Sequence, residues 1–294
     1  MTKLTASSLV LLGSASYGML STITKLAYQG GFSPAQVVGS QMLFGAFGFW
    51  LSSAYYWKAS WQLSFSSILQ LLLTGSLSGL TGIFYYLSLQ TLPASYAVIL
   101  LFQFTWIGLG LEWLFAKRRP TRLKMLAAIV IAVGTFPAAG FSIYSISPIL
   151  PLPGLVLGLL AAVSYALFIH LNANNAVQAP IMICNNWMVT GALLIAFIVF
   201  PPHFLFDSSL SSGLWMYGVF LGLFGIILPF YLFAKGTPHI GTGSSAVLGA
   251  VELPVVIACS LLFLDEQISL HQATGIAIIL FGIWLSSRQF KTGL

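Results

Sequence analysis

The stretch "LGAVELPVV" at residues 248–256 places one carboxylate, Glu252, inside an otherwise apolar run. Apolar runs of about 20 residues recur along the chain, and a helix of that length, rising 1.5 Å per residue, crosses a hydrocarbon core of roughly 30 Å. Of the 294 residues, 58% are hydrophobic and only 5% are charged, with a mean hydropathy of +0.96. An ordinary soluble domain carries roughly 25% charged residues. The sequence therefore predicts a membrane protein.

Ten apolar runs are separated by Pro, Gly, Asn or charged residues. They lie near residues 7–28, 34–57, 64–89, 93–116, 121–140, 151–172, 180–200, 212–235, 239–264 and 270–287. The runs are too long and too continuously apolar for the alternating strands of a membrane barrel. Lys25 stands where a signal peptide would need a small-residue cleavage site, so we expect the first run to remain in the mature protein. We expect an all-α integral membrane fold with ten transmembrane helices.

The basic residues predict the orientation, because Lys and Arg are retained on the cytoplasmic side during insertion. With the N-terminus inside, only Lys25 falls on the outer side, and every other basic residue falls on an inner loop or inner helix end: Lys3, Lys58, Lys117, Arg118, Arg119, Arg122, Lys124, Lys235, Arg288 and Lys291. We expect a multi-pass protein of the inner (plasma) membrane with both termini cytoplasmic.

The net charge of +6 and the isoelectric point near 9.4 would also suit a nucleic-acid-binding protein. The positive residues follow the membrane topology, however, and are not gathered on one soluble face. We therefore expect the lipid bilayer as a partner and no nucleic acid.

An internal repeat organises the chain. "GLTGI" (79–83) recurs as "GLFGI" (222–226), and each motif is followed by an aromatic stretch. Tyr17 in "SASYGML" matches Tyr165 in "AVSYALF". The stretch "LLFQFTW" (100–106) aligns with "LGAVELPV" (248–255), and this alignment pairs Gln103 with Glu252.

The repeat divides the chain into two halves, residues 1–145 and 146–294, with five spans each. An odd number of spans forces the second half to insert upside down relative to the first. Two inverted repeats can rock between mirror-like states around a site near the bilayer midplane, which is how many secondary transporters work.

Two stretches resemble a known family. "YGMLSTITKLAYQGGFSPAQVVGSQMLFGA" (17–46) and "AVLGAVELPVVIACSLLFLDEQISLHQATGIAIILFGIWL" (246–285) are similar to the first two and last two helices of ten-helix EamA-type members of the drug/metabolite transporter superfamily. The resemblance implies transport of metabolites such as amino acids, with export the commoner direction. It also implies a central cavity lined by helices three, four, eight and nine, with helices one and six contributing. At those positions the candidate cavity residues are Tyr85, Tyr86, Gln103, Trp106, Tyr231 and Glu252.

Three positions depart from the usual pattern of that family. Tyr17 replaces the Trp of the opening motif, Gln41 stands where many members carry Arg, and Lys117 lies where the second half has Glu266. These three departures bear on which type of substrate the protein binds, and they leave the family resemblance intact.

Glu252 can be interpreted in three ways. A carboxylate at the bilayer centre costs on the order of 2.5–3.5 kcal/mol on insertion scales, so it should face a polar cavity, find a partner or be protonated. It can serve as the counter-charge for an amino or cationic group of the substrate, or as a proton-binding site that couples transport to a gradient. The third interpretation is a hydrogen bond to a neighbouring helix, through Gln103 or Tyr231. Pro254 removes a backbone donor nearby and can open carbonyl groups toward a cavity.

Other polar residues are candidates for the cavity or a gate. Tyr17, by its position, and the amides Gln41 and Asn186 can line a polar path or hydrogen-bond across helices. Lys25 either extends to the outer headgroups or belongs to a gate. The glycine pairs Gly75–Gly79, Gly154–Gly158 and Gly218–Gly222 favour close helix packing.

Enzyme functions find little support in the sequence. "GTGSSA" (241–246) lacks the βαβ unit that gives a dinucleotide motif its meaning. With only five acidic residues, no paired general acid and base is evident, and no His or Cys cluster predicts a metal site. We predict no catalytic residues, no metal and no cofactor.

The sequence as a whole predicts a secondary transporter of small polar or amphipathic metabolites, such as amino acids, working by alternating access as a monomer or weak homodimer. Export is the expected direction, and protons are a candidate coupling ion. The alternatives are an importer of an organic cation or other metabolite, and a membrane sensor that does not transport.

Overall fold

The computed structural model describes residues 2–56, 63–116, 122–138, 151–173, 177–240, 248–249, 251–266 and 269–288. Within these ranges the regular structure is helical and no strand is present. The α-helices are α1 (Lys3–Gly18), α2 (Leu20–Gln29), α3 (Pro34–Ser52), α4 (Phe65–Leu89), α5 (Ala94–Leu101), α6 (Phe104–Ala116), α7 (Arg122–Ala138), α8 (Leu152–Ala173), α9 (Ile181–Val199), α10 (Trp215–Gly222), α11 (Leu228–Ile240), α12 (Glu252–Phe263) and α13 (Leu270–Arg288).

Within the described ranges the helices combine into ten spans. Span 1 consists of α1 and α2, which are separated only at Met19, and span 4 consists of α5 and α6. Span 8 runs from residue 210 to residue 240. A π-helical turn at Leu223–Ile227 joins α10 to α11, whereas Leu210–Leu214, before α10, is kinked at Gly213, whose φ is 113°. Spans 2, 3, 5, 6, 7, 9 and 10 are α3, α4, α7, α8, α9, α12 and α13.

Length and composition agree with a membrane fold. In the part of the chain that the structure describes, six segments are long and apolar enough to cross a bilayer: Lys3–Gln29, Phe65–Leu89, Ala94–Phe115, Leu152–Asn172, Ile181–Val199 and Leu210–Phe233. Glu252–Phe263 and Leu270–Gly282 are shorter apolar helices. The predicted all-α membrane fold is confirmed.

The end of span 8 was predicted wrongly. We expected it at residue 235, but α11 continues to Ile240. The start of span 9, expected near residue 239, stays a prediction, since residues 248–249 are helical and α12 follows from Glu252. Gly236, which the sequence suggests as a breaker, stays helical because it packs closely on α1: an added Cβ would lie 2.8 Å from the Ala6 carbonyl oxygen. Residues 241–247 lie outside the described part of the chain.

Helix starts are specified locally. Ser33 and Gln36 form a capping box at α3, since the Ser33 hydroxyl accepts from the Gln36 amide and the Gln36 side chain accepts from the Ser33 amide. Ser64 caps α4 by accepting from the backbone amide of Ser67 at 3.2 Å. These caps satisfy amide groups that have no partner inside the helix.

The contacts between the two halves occur in related pairs. Span 1 packs on spans 8 and 9, and its counterpart, span 6, packs on spans 3 and 4. Span 2 packs on span 8, and its counterpart, span 7, packs on span 3. The pairs 2–7, 4–9 and 5–10 each join a span to its own counterpart. Exchanging the halves therefore reproduces the contact pattern, as expected of two repeats related by a two-fold axis. The predicted boundary between residues 145 and 146 lies outside the described residues.

Glycines allow the closest helix contacts. A Cβ added at Gly79 would lie 2.7 Å from the Ala192 carbonyl oxygen, and one added at Gly222 would lie 2.7 Å from the Gly45 backbone nitrogen. Real side chains do not approach backbone atoms so closely, so a larger residue would push these helices apart. The packing role predicted from the glycine spacing agrees with these contacts.

Candidate functional site

Two helix interruptions meet where α12 begins. Glu252 is the first residue of α12 and is half-buried. Gly18 ends α1, next to the break at Met19, and a Cβ added there would lie 2.8 Å from the Glu252 carbonyl oxygen. About 18 Å of helix separates Glu252 from the far end of α12, at 1.5 Å per residue. Interrupted helices expose backbone groups inside a membrane protein, and transporters commonly bind substrates or ions at such places.

Three phenol groups lie within electrostatic range of the Glu252 carboxylate. Tyr17 of α1, Tyr85 of α4 and Tyr165 of α8 all lie close enough to interact with it electrostatically. Tyr17 and Tyr165, which occupy matching positions of the two repeats, also interact with each other. No hydrogen bond to the Glu252 carboxylate occurs among the residues that the structure describes. The carboxylate therefore keeps its hydrogen-bonding capacity for a ligand, a proton or water.

Aromatic rings complete the surroundings of this carboxylate. The Tyr165 ring packs edge-to-face on Phe104, with 4.8 Å between centroids, and the Tyr17 ring lies 6.2 Å from that of Phe233. We call Glu252 and the three tyrosines the central site. Tyr165 is absent from the residues predicted for the site, although the repeat alignment pairs it with Tyr17 and could have indicated it.

Gln103 and Trp106 lie at the break between α5 and α6. The Gln103 amide donates to the Ile99 carbonyl at 2.9 Å, and the Trp106 indole donates to the Gln103 amide oxygen at 2.8 Å. The Gln103 side chain is buried, whereas the Trp106 side chain is 42% exposed. These bonds stabilise the interruption of span 4, and a contact of either residue with substrate stays a prediction.

Tyr231 and Pro254 are both exposed. The Tyr231 hydroxyl accepts a hydrogen bond from Lys235, whose ammonium group lies 4.3 Å from the centre of the same ring. Pro254 is the third residue of α12, where its missing amide donor removes no intrahelical bond. Its position fits the predicted helix break at the start of α12.

A second group of polar residues lies beside the central site. Ser21, Thr22 and Thr24 of α2, Gln41 of α3 and Tyr86 of α4 are each no more than 4% exposed. The side-chain oxygen of each has no hydrogen-bond partner in the described structure. We call these five residues the polar cluster. Gln41 and Tyr86 were predicted for the site from the sequence, but the three α2 hydroxyls were not.

Glu266 connects the two halves at one end of the bundle. Its carboxylate accepts from the Ala94 backbone amide at 2.7 Å and from the Ser95 hydroxyl at 3.1 Å, which caps α5. The same carboxylate lies 3.8 Å from the Lys25 ammonium. We call this arrangement of Lys25, Ala94, Ser95 and Glu266 the Glu266 latch. It gives Lys25, a predicted gate residue, a specific partner.

Asn186 lies at the opposite end of the bundle. Its amide nitrogen donates to the Ser53 hydroxyl, and its amide oxygen is buried without a partner. One turn further, the Trp50 indole donates to the Thr190 hydroxyl at 2.9 Å. Asn186 therefore joins spans 2 and 7 near the ends of these helices, apart from the central site.

Metal ligands are not grouped in the described ranges, where no set of three or more His, Cys, Asp or Glu residues could hold an ion. Cys184 and Cys259 are free thiols.

Comparison with known proteins gives consistent results. A model described as "EamA-like transporter family" matches residues 4–138 and again residues 152–288. An "uncharacterized transporter" of Archaeoglobus fulgidus is 27% identical over 139 residues, which cover 46% of this chain and 48% of that protein. The match thus spans about half the length of that relative. A protein of known crystal structure aligns with a TM-score of 0.64 and 18% identity, over 97% of this chain and 99% of the other, which shows a shared fold.

Proposed function

The chain belongs to the EamA-like transporter family, and from this premise we propose that it is a secondary transporter of small polar or amphipathic metabolites such as amino acids. Substrate binds at the central site, and the two five-span halves alternate access to it from either side of the membrane. Export is the proposed direction. The family consists of transporters, so membership supports transport and not catalysis.

The arrangement at Glu252 is the observation that carries this proposal. A half-buried carboxylate without a described hydrogen bond begins α12, next to the break in span 1 and beside three phenols. An acid so placed near the middle of a membrane bundle is retained for a function, since it is costly to insert. It can bind the amino group of a substrate or a proton, and in either role the net charge of the site changes as it is loaded.

The Glu266 latch closes one end of this site. Lys25 and Ala94 belong to the first half and Glu266 to the second, so these contacts must separate if the halves move apart there. By the distribution of Lys and Arg, we place this end on the outer side of the membrane and both termini in the cytoplasm.

Transport by purified protein in proteoliposomes tests the proposal. Vesicles loaded with radiolabelled amino acids, with and without a pH gradient, should release them faster with the protein than without it. Glu252→Gln should reduce efflux to the protein-free rate or remove its dependence on the gradient. Asp207→Asn serves as the matched control because Asp207 is exposed and bonds within its own turn, to the Ser209 amide at 2.8 Å. Wild-type efflux by Glu252→Gln would contradict the proposed role.

An organic cation is the second candidate substrate. Glu252 lies beside the phenol groups of Tyr17, Tyr85 and Tyr165, and aromatic faces attract cations. Radiolabelled tetraethylammonium in the same vesicles, offered from the outside, tests uptake. Uptake that requires Glu252, without amino-acid efflux, would favour this alternative.

A further inference from the structure

The polar cluster has hydrogen-bonding capacity that the described protein groups leave unused. Thr24 and Gln41 lie close enough to the Tyr86 hydroxyl for weak side-chain hydrogen bonds to it. At normal hydrogen-bond distance and angle, however, the Thr24 hydroxyl, the Gln41 carbonyl oxygen and the Tyr86 hydroxyl each have no partner. Three neighbouring polar atoms that are buried and unbonded are unusual, because more than nine in ten buried polar groups are paired.

Packing holds these three side chains in place. Gln41 lies against span 8, where a Cβ added at Gly225 would be 2.7 Å from the Gln41 amide nitrogen. The Tyr28 hydroxyl donates to the Tyr86 carbonyl at 2.8 Å, which ties α2 to α4 beside the cluster. Three different helices therefore position the groups.

The chemistry of the three groups defines what they can bind. The Gln41 carbonyl oxygen only accepts hydrogen bonds, whereas the Thr24 and Tyr86 hydroxyls both donate and accept. A ligand group that satisfies all three must donate to the Gln41 oxygen, and it can donate to or accept from either hydroxyl. An alcohol or a water molecule does this without bringing a charge. A carboxylate cannot donate to Gln41, and a primary ammonium group would be buried beside three uncharged groups with no counter-charge among them, which is costly.

We propose that Thr24, Gln41 and Tyr86 form a subsite for one neutral hydroxyl group, which is a water molecule in the unloaded protein and an alcohol group of the substrate in the loaded one. This inference deepens the proposed transport function and extends the central site along α2. The adjacent rings of Tyr85 and Tyr86, 5.9 Å apart between centroids, connect the two. The substrate class is then an amino compound that also carries an alcohol.

Thermal unfolding in detergent tests the subsite without any transport. Deleting a buried hydroxyl that has no partner stabilises a protein, whereas deleting one that bonds a bound water destabilises it. Tyr86→Phe and Thr24→Val remove one hydroxyl each with little change of shape. We expect both to lower the unfolding midpoint by about 2 °C or more. Thr74→Val is the matched control, because the Thr74 hydroxyl is bonded within its own helix, to Gln70 at 2.9 Å. Midpoints equal to or above that of the control would overturn the proposal.

Competition between threonine and valine identifies the source of the hydroxyl. These amino acids have the same shape and differ in one hydroxyl, and one hydrogen bond of this kind corresponds to about a tenfold preference. A preference for threonine that disappears in Tyr86→Phe and Thr24→Val, with valine transport unchanged, assigns the subsite to substrate. Lowered midpoints without such a preference assign it to water. If neither amino acid is transported, the proposed substrate class fails while the unfolding result still decides the subsite.

Discussion

Removing the Glu266 carboxylate should open the end of the bundle that the Glu266 latch closes. We consider Glu266→Ala, which deletes four contacts at once. Two are hydrogen bonds from the backbone amides of Ala94 at 2.7 Å and Ser95 at 3.4 Å. The others are the bond from the Ser95 hydroxyl at 3.1 Å and the ion pair with Lys25 at 3.8 Å. The contacts join different halves, so they are already absent from the state in which the halves separate at this end. The substitution therefore destabilises only the closed state.

The size of the effect follows from these contacts. Loss of a helix N-cap costs about 1–2 kcal/mol, and the charged acceptor strengthens the Ser95 bond by about 1 kcal/mol. The ion pair adds less, because both side chains are partly exposed, 22% for Lys25 and 14% for Glu266; about 0.5 kcal/mol is a reasonable share. A total of about 3 kcal/mol corresponds to a shift of about 150-fold in the ratio of closed to open states.

Labelling of a buried cysteine measures this shift. Ser21 is 1% exposed, so a Ser21→Cys thiol should react with a membrane-impermeant maleimide only when this end opens. Cys184 and Cys259, the native thiols, are first replaced by Ala. We expect Glu266→Ala to accelerate labelling strongly and Lys25→Met to accelerate it less, because the cap on α5 remains.

Asp207→Asn should leave the labelling rate unchanged, since the Asn side chain keeps an oxygen that can accept from the Ser209 amide as Asp207 does. Each variant must elute as a single species and unfold cooperatively, so that faster labelling reports opening and not misfolding. An unchanged rate in a folded Glu266→Ala protein would refute the latch.

Two further predictions concern packing and topology. Gly191→Leu should lower the unfolding midpoint by several degrees or prevent folding, because an added Cβ already overlaps the facing backbone of Leu72. Gly108→Ala should be neutral, because nothing lies within 4 Å of the added carbon. Thermal unfolding in detergent compares the two variants, and equal midpoints would contradict the close approach at Gly191. Tags inserted in the loops near 117–124 and 141–150 should be accessible from opposite sides of the membrane, and accessibility from a shared side would contradict the inverted insertion.

The sequence predicts the spans well because membrane insertion depends on length and apolar composition, which are local properties. Ten runs and their repeat can be read directly, and Glu252 stands out as an acid in an apolar segment. The end of span 8 was predicted wrongly because the stabilising contact at Gly236 comes from α1, which no local pattern shows.

The polar cluster and the latch could not be predicted in this way. Ser and Thr in a helix commonly bond back to a carbonyl one turn earlier, as Ser14 does to Val10 at 2.8 Å. No local sequence pattern distinguishes Ser14 from Thr24, whose hydroxyl lacks such a bond. Glu266 likewise resembles an ordinary acid in a loop, and only the fold brings it to Ala94, 172 positions away in sequence.

The contacts of the two halves are symmetric, but their polar residues are not. Glu252 is matched by the neutral Gln103, and Glu266 is matched by Lys117, which lies outside the described residues. A lysine has no acceptor atom and cannot cap the amides of a helix as Glu266 caps α5. The latch therefore cannot be reproduced at the opposite end by the equivalent residue. Exchanging the halves preserves the packing but not these charges. In the proposed alternating-access cycle, the two access states would therefore differ in energy, and loading at Glu252 would change the charge balance of a site whose acid only one half supplies. On this proposal the repeat makes the motion accessible, and the unmatched acids determine which end stays closed.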